Sequence, residues 1–76
     1  ESPRGMAILA AAELDRSLGA LLKSFLVPGE ARKNLFTVGS APLSSFSAKI
    51  DLARALHLIR DEEHRGLHII RKIRNE

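Results

Sequence analysis

Apolar residues recur along the chain at a spacing of three to four positions, which is typical of helices that bury one face. In the first such segment, Ser2 offers a capping hydroxyl and Pro3 suits the first helical position, where its missing N–H is harmless. The pattern continues to about Leu26, and Pro28 ends it because a proline forces the preceding residue out of the helical region. The core stripe predicted for this first helix consists of Ala7, Ala11, Leu14, Leu18, Leu21, Leu22 and Phe25.

A short helix and a loop are predicted next. The letters EARKNLF, residues 30–36, favour the short helix, whereas TVGSAP, residues 37–42, contains the glycine, serine and proline that favour a loop. No internal repeat or low-complexity tract interrupts this order, so the sequence predicts one helical domain over residues 1–76.

The second main helix is predicted within APLSSFSAKIDLARALHLI, residues 41–59, with Ser44 or Ser45 as its N-cap. One apolar face consists of Ala48, Leu52, Ala55, Leu56 and Ile59, a second of Phe46, Ile50 and Ala53, and the polar strip of Ser47, Asp51 and Arg54. So narrow a polar strip is typical of a helix covered on two sides, and we expect the second face to lie at a subunit or interdomain interface. Asp51 and Arg54 are expected to pair across one turn.

The third main helix is predicted to start at Asp61, a favourable N-cap followed by two glutamates in the turn where the helix dipole favours negative charge. Its apolar face consists of Gly66, Leu67, Ile69, Ile70 and Ile73, and its polar face of His64, His68, Arg71, Lys72 and Asn75. The pattern as a whole predicts an all-α bundle of three main helices and a short one.

Composition narrows the ways in which this bundle can be stabilised. A core formed by 76 residues is small, and the absence of cysteine excludes disulfides and thiolate metal sites. We therefore expect the bundle to be part of a larger or oligomeric one. The longest apolar run, AILAAA, is too short to span a bilayer, so the sequence predicts a cytoplasmic protein without a membrane partner.

Two histidines are the strongest candidate for metal chemistry. His64 and His68 lie one turn apart on the third helix, a spacing that two metal ligands can use. No HExxH pattern accompanies them and His57 falls on a different predicted helix, so we predict a solvated face and no metal. The serines of PLSSFS have no glycine elbow and serve as caps, so no catalytic residue or cofactor is predicted.

The end of the third helix offers a candidate interaction or nucleic-acid face. It consists of His64, His68, Arg71, Lys72, Arg74 and Asn75. The chain contains no tyrosine or tryptophan, its net charge is only +3, and no helix-turn-helix is evident. We therefore favour an ordinary solvated surface and expect DNA binding to be weak or indirect.

Three segments resemble the bacterial mannitol operon repressor family. They are AILAAAELDRSLGALLKSFL, APLSSFSAKIDLARALHLI and LHIIRKIRNE, in this order and at the spacing typical of that family. The resemblance covers nearly the whole chain, and PLSSFSAKIDLARALHLI followed by IRKIRN is its most specific part. It implies an all-helical fold and a role in regulating the transcription of genes for sugar-alcohol use. The small core and the lack of a stop signal after the third helix also indicate that the chain is the N-terminal portion of a longer family domain.

A more distant resemblance is to the helical HEPN domains. In active members an Arg–Asn pair is followed, a few residues later, by a histidine that serves RNA cleavage or nucleotide binding. Arg74 and Asn75 match the pair, but no histidine follows within this sequence. Ribonuclease activity is therefore not carried over from this resemblance, and we expect Arg74 to have a structural role.

The sequence thus predicts a transcriptional regulator that acts mainly through protein contacts and is not an enzyme. Its expected partner is a second copy of the chain or a regulatory protein. A HEPN-like module that binds or processes RNA is the alternative.

Overall fold

Four helices form the molecule, as described by a computed structural model for residues 2–37 and 39–75. They are α1 (Pro3–Ser24), α2 (Glu30–Phe36), α3 (Phe46–Ala55) and α4 (Asp61–Asn75). The all-α prediction is confirmed, including the short helix; Val38, which falls in the predicted loop, lies outside the described residues. Across the described ranges, no helix combines the length and the apolar character needed to cross a membrane.

The two predicted serine caps at the start of α1 and α3 are present. The hydroxyl of Ser2 accepts a hydrogen bond from the backbone N–H of Gly5 at 3.0 Å, and that of Ser45 accepts one from Ala48 at 3.1 Å. Each satisfies one of the N–H groups that a first helical turn leaves unpaired. Ser44 has a different role, because its hydroxyl donates to the carbonyl of Ala41 at 2.7 Å.

The predicted second main helix is too long at its C-terminal end. α3 ends at Ala55, and His57 takes the left-handed conformation with φ of 61°. The N–H groups of Leu58 and His57 donate to the carbonyls of Ala53 and Arg54, both at 2.9 Å, which is the hydrogen-bond pattern of a Schellman C-cap. This backbone closure, rather than a glycine or proline, turns the chain towards α4.

The core lies where α1, α3 and α4 pack against one another in all three pairs. Its buried members are Ala11, Leu18, Leu22, Phe46, Ile50 and Ala53. The predicted interface of Phe46, Ile50 and Ala53 is therefore wrong, because these side chains are 2%, 0% and 0% exposed within the chain itself. The second apolar face of α3 is covered by α1 and α4 and is not available to another subunit.

Asp15 joins the three packed helices through its carboxylate. Nζ of Lys49 on α3 donates to Oδ1 at 2.6 Å, and Nη1 of Arg74 on α4 donates to Oδ2 at 3.1 Å. The Arg74 guanidinium also stands 4.9 Å from the centre of the Phe46 ring. Arg74 thus has the structural pairing expected from the sequence, although its partner lies 59 residues away in the chain.

Helix α2 lies outside this three-helix core. None of its residues from Glu30 to Phe36 is buried. Nη1 of Arg32 donates to the carbonyl of Lys23 at 3.2 Å, and the N–H of Leu43 donates to the carbonyl of Leu35 at 2.8 Å. Phe36 packs against the edge of the core.

Candidate functional site: a histidine and aspartate cluster and an apolar groove

Two histidines of α4 converge on one carboxylate oxygen of α3. Nε2 of His64 lies 2.8 Å from Oδ1 of Asp51, and Nε2 of His68 lies 2.9 Å from the same atom. The two imidazole rings meet edge to face with their centres 4.8 Å apart. We refer to these three residues as the His–Asp cluster.

Local folding explains how the His–Asp cluster forms. His64 and His68 are four positions apart and therefore lie one above the other on α4. After the turn at His57, α4 runs back along α3, so that Arg54 meets Asp61 and, one turn earlier on α3, Asp51 meets the two histidines. The predicted pair between Asp51 and Arg54 is wrong, because Arg54 turns to Asp61, with Nε 3.5 Å from Oδ1.

The hydrogen bonds of the cluster favour the charged form of its carboxylate. Those from His64 first, and from His68 second, lower the pKa of Asp51, so its carboxylate is ionised at neutral pH and accepts N–H from both rings. Nε of Arg71 donates to Nδ1 of His68 at 3.0 Å, which leaves the ring hydrogen of His68 on Nε2. The Asp51 side chain is 62% exposed, whereas those of His64 and His68 are 27% and 20% exposed.

The structure brings a third potential ligand, Asp51, to the two histidines, and the sequence argument missed this residue. Two imidazoles and one carboxylate offer ligand atoms that all lie within 4.8 Å of one another. The prediction of no metal rested on the lack of a partner for His64 and His68, and Asp51 is that partner. The sequence offered one indication of this role. Asp51 lies in the narrow polar strip between the two apolar faces of α3, so its side chain can point in only a few directions.

The predicted basic face does not exist as one exposed surface. Two of its six members, His64 and His68, turn to Asp51, and Arg71 turns to His68. Arg74 turns to Asp15, which leaves Lys72 and Asn75 as the exposed members. Carboxylates on α1 and α3 thus engage three of the six side chains that were predicted to contact a nucleic-acid backbone, and His68 engages a fourth.

An apolar groove runs along α1 and α4 on another side of the molecule. Its volume is about 480 Å³, and it is lined by Leu14, Ser17, Leu18, Leu21, Ile59, Glu63, Gly66, Leu67 and Ile70. Ile69 and Ile73, which belong to α4 but do not line the groove, are 59% and 37% exposed. A Cβ atom at Gly66 would meet nothing within 4 Å, so the groove is open to solvent at this point.

Comparisons of the chain with models of protein families, with curated proteins and with solved structures find no match. The likeness to the mannitol operon repressor family therefore remains an expectation based on its sequence segments. The groove, the His–Asp cluster and the charges around them are the features of this chain that bear on its function.

Proposed function

We propose that this chain is a regulatory module that acts through protein contacts, and that its first contact is with a second copy of itself along the α1–α4 groove. The observation that supports the proposal is the open apolar groove, which is lined in part by the exposed Leu21, together with the exposed Ile69 and Ile73 on α4, one of the helices that line the groove. Exposed apolar surface of this kind is typical of interaction sites.

Charge favours a second copy as the occupant of the groove. The first turn of α4 carries Asp61, Glu62 and Glu63, and its last turn carries Lys72 and Arg74. In a two-fold dimer the same surface meets itself, so two α4 helices that pair antiparallel bring Glu62 of one copy to Lys72 of the other. Ile69 lies between these charges, where it would be buried by the partner.

Size favours the same arrangement. Eight apolar residues are buried among those described, which is a small core for a 76-residue chain without cysteine. A second copy that covers Leu21, Ile69 and Ile73 would remove their apolar surface from water. Each Å² of apolar surface buried in this way stabilises the dimer by about 25 cal/mol. Self-association would thus supply the additional stability that is expected to be needed by a small core without disulfides.

A role in transcription is the part of the proposal that comes from the family resemblance. The geometry is consistent with regulation through protein contacts, because Arg71 and Arg74 are engaged within the chain. We expect the chain alone to bind DNA weakly, with a strong dependence on salt and little preference for sequence.

Replacing Ile69 with lysine is expected to weaken self-association at least about tenfold, since burying an isoleucine contributes about 1.5–3 kcal/mol and a buried lysine charge opposes association. The measurement is equilibrium sedimentation over a range of protein concentrations. Leu9→Lys is the matched control, because Leu9 is 65% exposed and lies five residues before Leu14, on the other side of α1. A wild-type chain that remains monomeric at high concentration, or equal weakening by Leu9→Lys, would contradict the proposal.

The transcriptional part is tested by a salt-series binding assay of the purified chain against its upstream promoter DNA and a scrambled duplex. Equal binding that is lost with added salt, or no binding, is the expected result. A large affinity gap between the duplexes would instead mean a direct repressor with a reading surface of its own. Cleavage of RNA by the purified chain would favour the HEPN-like alternative.

A further inference from the structure

We propose that Asp51, His64 and His68 bind a divalent first-row metal ion, with Zn²⁺ as the reference ion. The inference is independent of the proposed self-association, because the His–Asp cluster lies between α3 and α4 and the groove lies between α1 and α4. It replaces the sequence-based prediction that His64 and His68 form only a solvated face.

The donor set is the first argument. Imidazole nitrogen suits zinc, copper, iron and nickel, and two histidines with one carboxylate form a familiar open metal site in which water completes the coordination. Mg²⁺ and Ca²⁺ prefer oxygen ligands and are not expected to compete. The cluster therefore selects for the later first-row ions.

The spacing of the ligand atoms is the second argument. Zinc–ligand bonds of about 2.0–2.2 Å in a tetrahedral site place neighbouring ligand atoms about 3.3–3.6 Å apart. Nε2 of His64 and Nε2 of His68 lie 2.8 and 2.9 Å from Oδ1 of Asp51, so each nitrogen has to move away from that oxygen by about half an ångström. The two histidine nitrogens lie within 4.8 Å of each other and have to take up the same spacing. Small side-chain rotations provide this change, since Asp51 is mostly exposed.

Attachment to two packed helices is the third argument. Asp51 lies in the same helix as the fully buried Ile50, and both histidines are on α4, which packs against α3. Ligands on such elements are held in place better than ligands on loops, which reduces the entropy lost when an ion binds. The 62% exposure of Asp51 leaves a path for the ion and for its water ligands.

Arg71 limits the affinity of this site. A metal on Nε2 of His68 takes the lone pair of that nitrogen, so the ring hydrogen must move from Nε2 to Nδ1. Nδ1 now accepts a hydrogen bond from Nε of Arg71, and after the move two donors would face each other. Ligating histidines normally donate this second N–H to an acceptor, so Arg71 has to withdraw when the ion binds. The site is thus an exchangeable one rather than a permanent structural site.

The experiment is a titration of tag-free wild-type chain with Zn²⁺ by calorimetry and with Co²⁺ by visible absorption. Binding of one ion per chain is expected, and resonances of His64 and His68 should broaden with Co²⁺ in NMR spectra while those of His57 stay sharp. This readout needs no variant and so does not depend on a mutant's folding. A wild-type chain that shows neither binding heat nor selective broadening would overturn the proposal.

Variants then assign the ligands. His64→Ala, His68→Ala and Asp51→Asn are each expected to lower affinity by more than about tenfold. His57→Asn is the matched control, because it removes a histidine that is exposed and outside the cluster while asparagine tolerates the left-handed conformation of this position, and it should leave the affinity unchanged. Equal losses from His57→Asn and His64→Ala would mean adventitious binding to surface histidines and would refute the assignment.

Arg71 provides the test that separates a metal site from a simple hydrogen-bond network. Arg71→Gln places an acceptor near Nδ1 of His68 and is expected to tighten Zn²⁺ binding about threefold to tenfold. Arg71→Lys retains a charged donor and is expected to give no gain. A loss of affinity with glutamine would contradict coordination through Nε2 of His68.

Discussion

Replacing Ile50 with alanine is expected to lower the free energy of unfolding by about 2–5 kcal/mol. Its side chain is fully buried between α1, α3 and α4, so the substitution removes apolar contacts and leaves a cavity that the three helices close only in part. The measurement is urea unfolding followed by circular dichroism. Because total stability in a chain of 76 residues is modest, a substantial unfolded fraction is expected even without denaturant.

Leu9→Ala is the control for Ile50→Ala, because it removes the same number of carbon atoms from a side chain that is 65% exposed. Its effect on unfolding is expected to stay within about 0.5 kcal/mol. Repeating the measurement at several protein concentrations separates a core position from an interface position. A substitution at a subunit contact lowers the free energy of unfolding only at concentrations where the subunits associate. A loss of stability that disappears on dilution would mean that Ile50 lies at the subunit interface predicted from the sequence.

Replacing Asp15 with asparagine is expected to lower the free energy of unfolding by about 1–3 kcal/mol. The change keeps the shape of the side chain but removes the charge that Lys49 and Arg74 share. These two cations are 12% and 26% exposed, so each would stay largely shielded from water without its ionic partner. Because Asp15, Lys49 and Arg74 are partly exposed, the expected loss of stability is smaller than for a fully buried ion pair.

Glu13→Gln is the matched control for Asp15→Asn. Glu13 also pairs with an arginine on α1, but both side chains are more than 60% exposed and the expected effect is at most about 0.5 kcal/mol. A double-mutant cycle with Arg74→Met measures the coupling between Asp15 and Arg74 directly. A coupling energy near zero would mean that the carboxylate does not hold α1 to α4.

The order of helices follows from local signals in the sequence. Ser2, Pro3 and Ser45 lie at helix starts, and these residue types act within one turn, so their role can be read without knowing the fold. The periodicity of apolar residues adds the faces that pack. The end of α3 was missed because His57, which has an ordinary side chain, adopts the left-handed conformation that glycine usually provides.

The candidate sites depend on contacts between distant parts of the chain, and these could not be read from spacing. A helical wheel places Asp51 towards water, whereas the packing of α3 against α4 brings it to the two histidines. The same limitation reversed the role of the Phe46, Ile50 and Ala53 face. Periodicity shows that α3 has two apolar faces, but which one the chain covers by itself is decided by its tertiary packing.

The peripheral position of α2 means that the chain does not open everywhere at the same free energy. With Phe36 as its main apolar anchor and no residue from Glu30 to Phe36 buried, this segment can detach while α1, α3 and α4 stay packed. Its backbone amides should therefore exchange with solvent through local opening, well before those of Leu22 or Ile50. The α2 segment is thus where the chain best tolerates an insertion or a proteolytic cut.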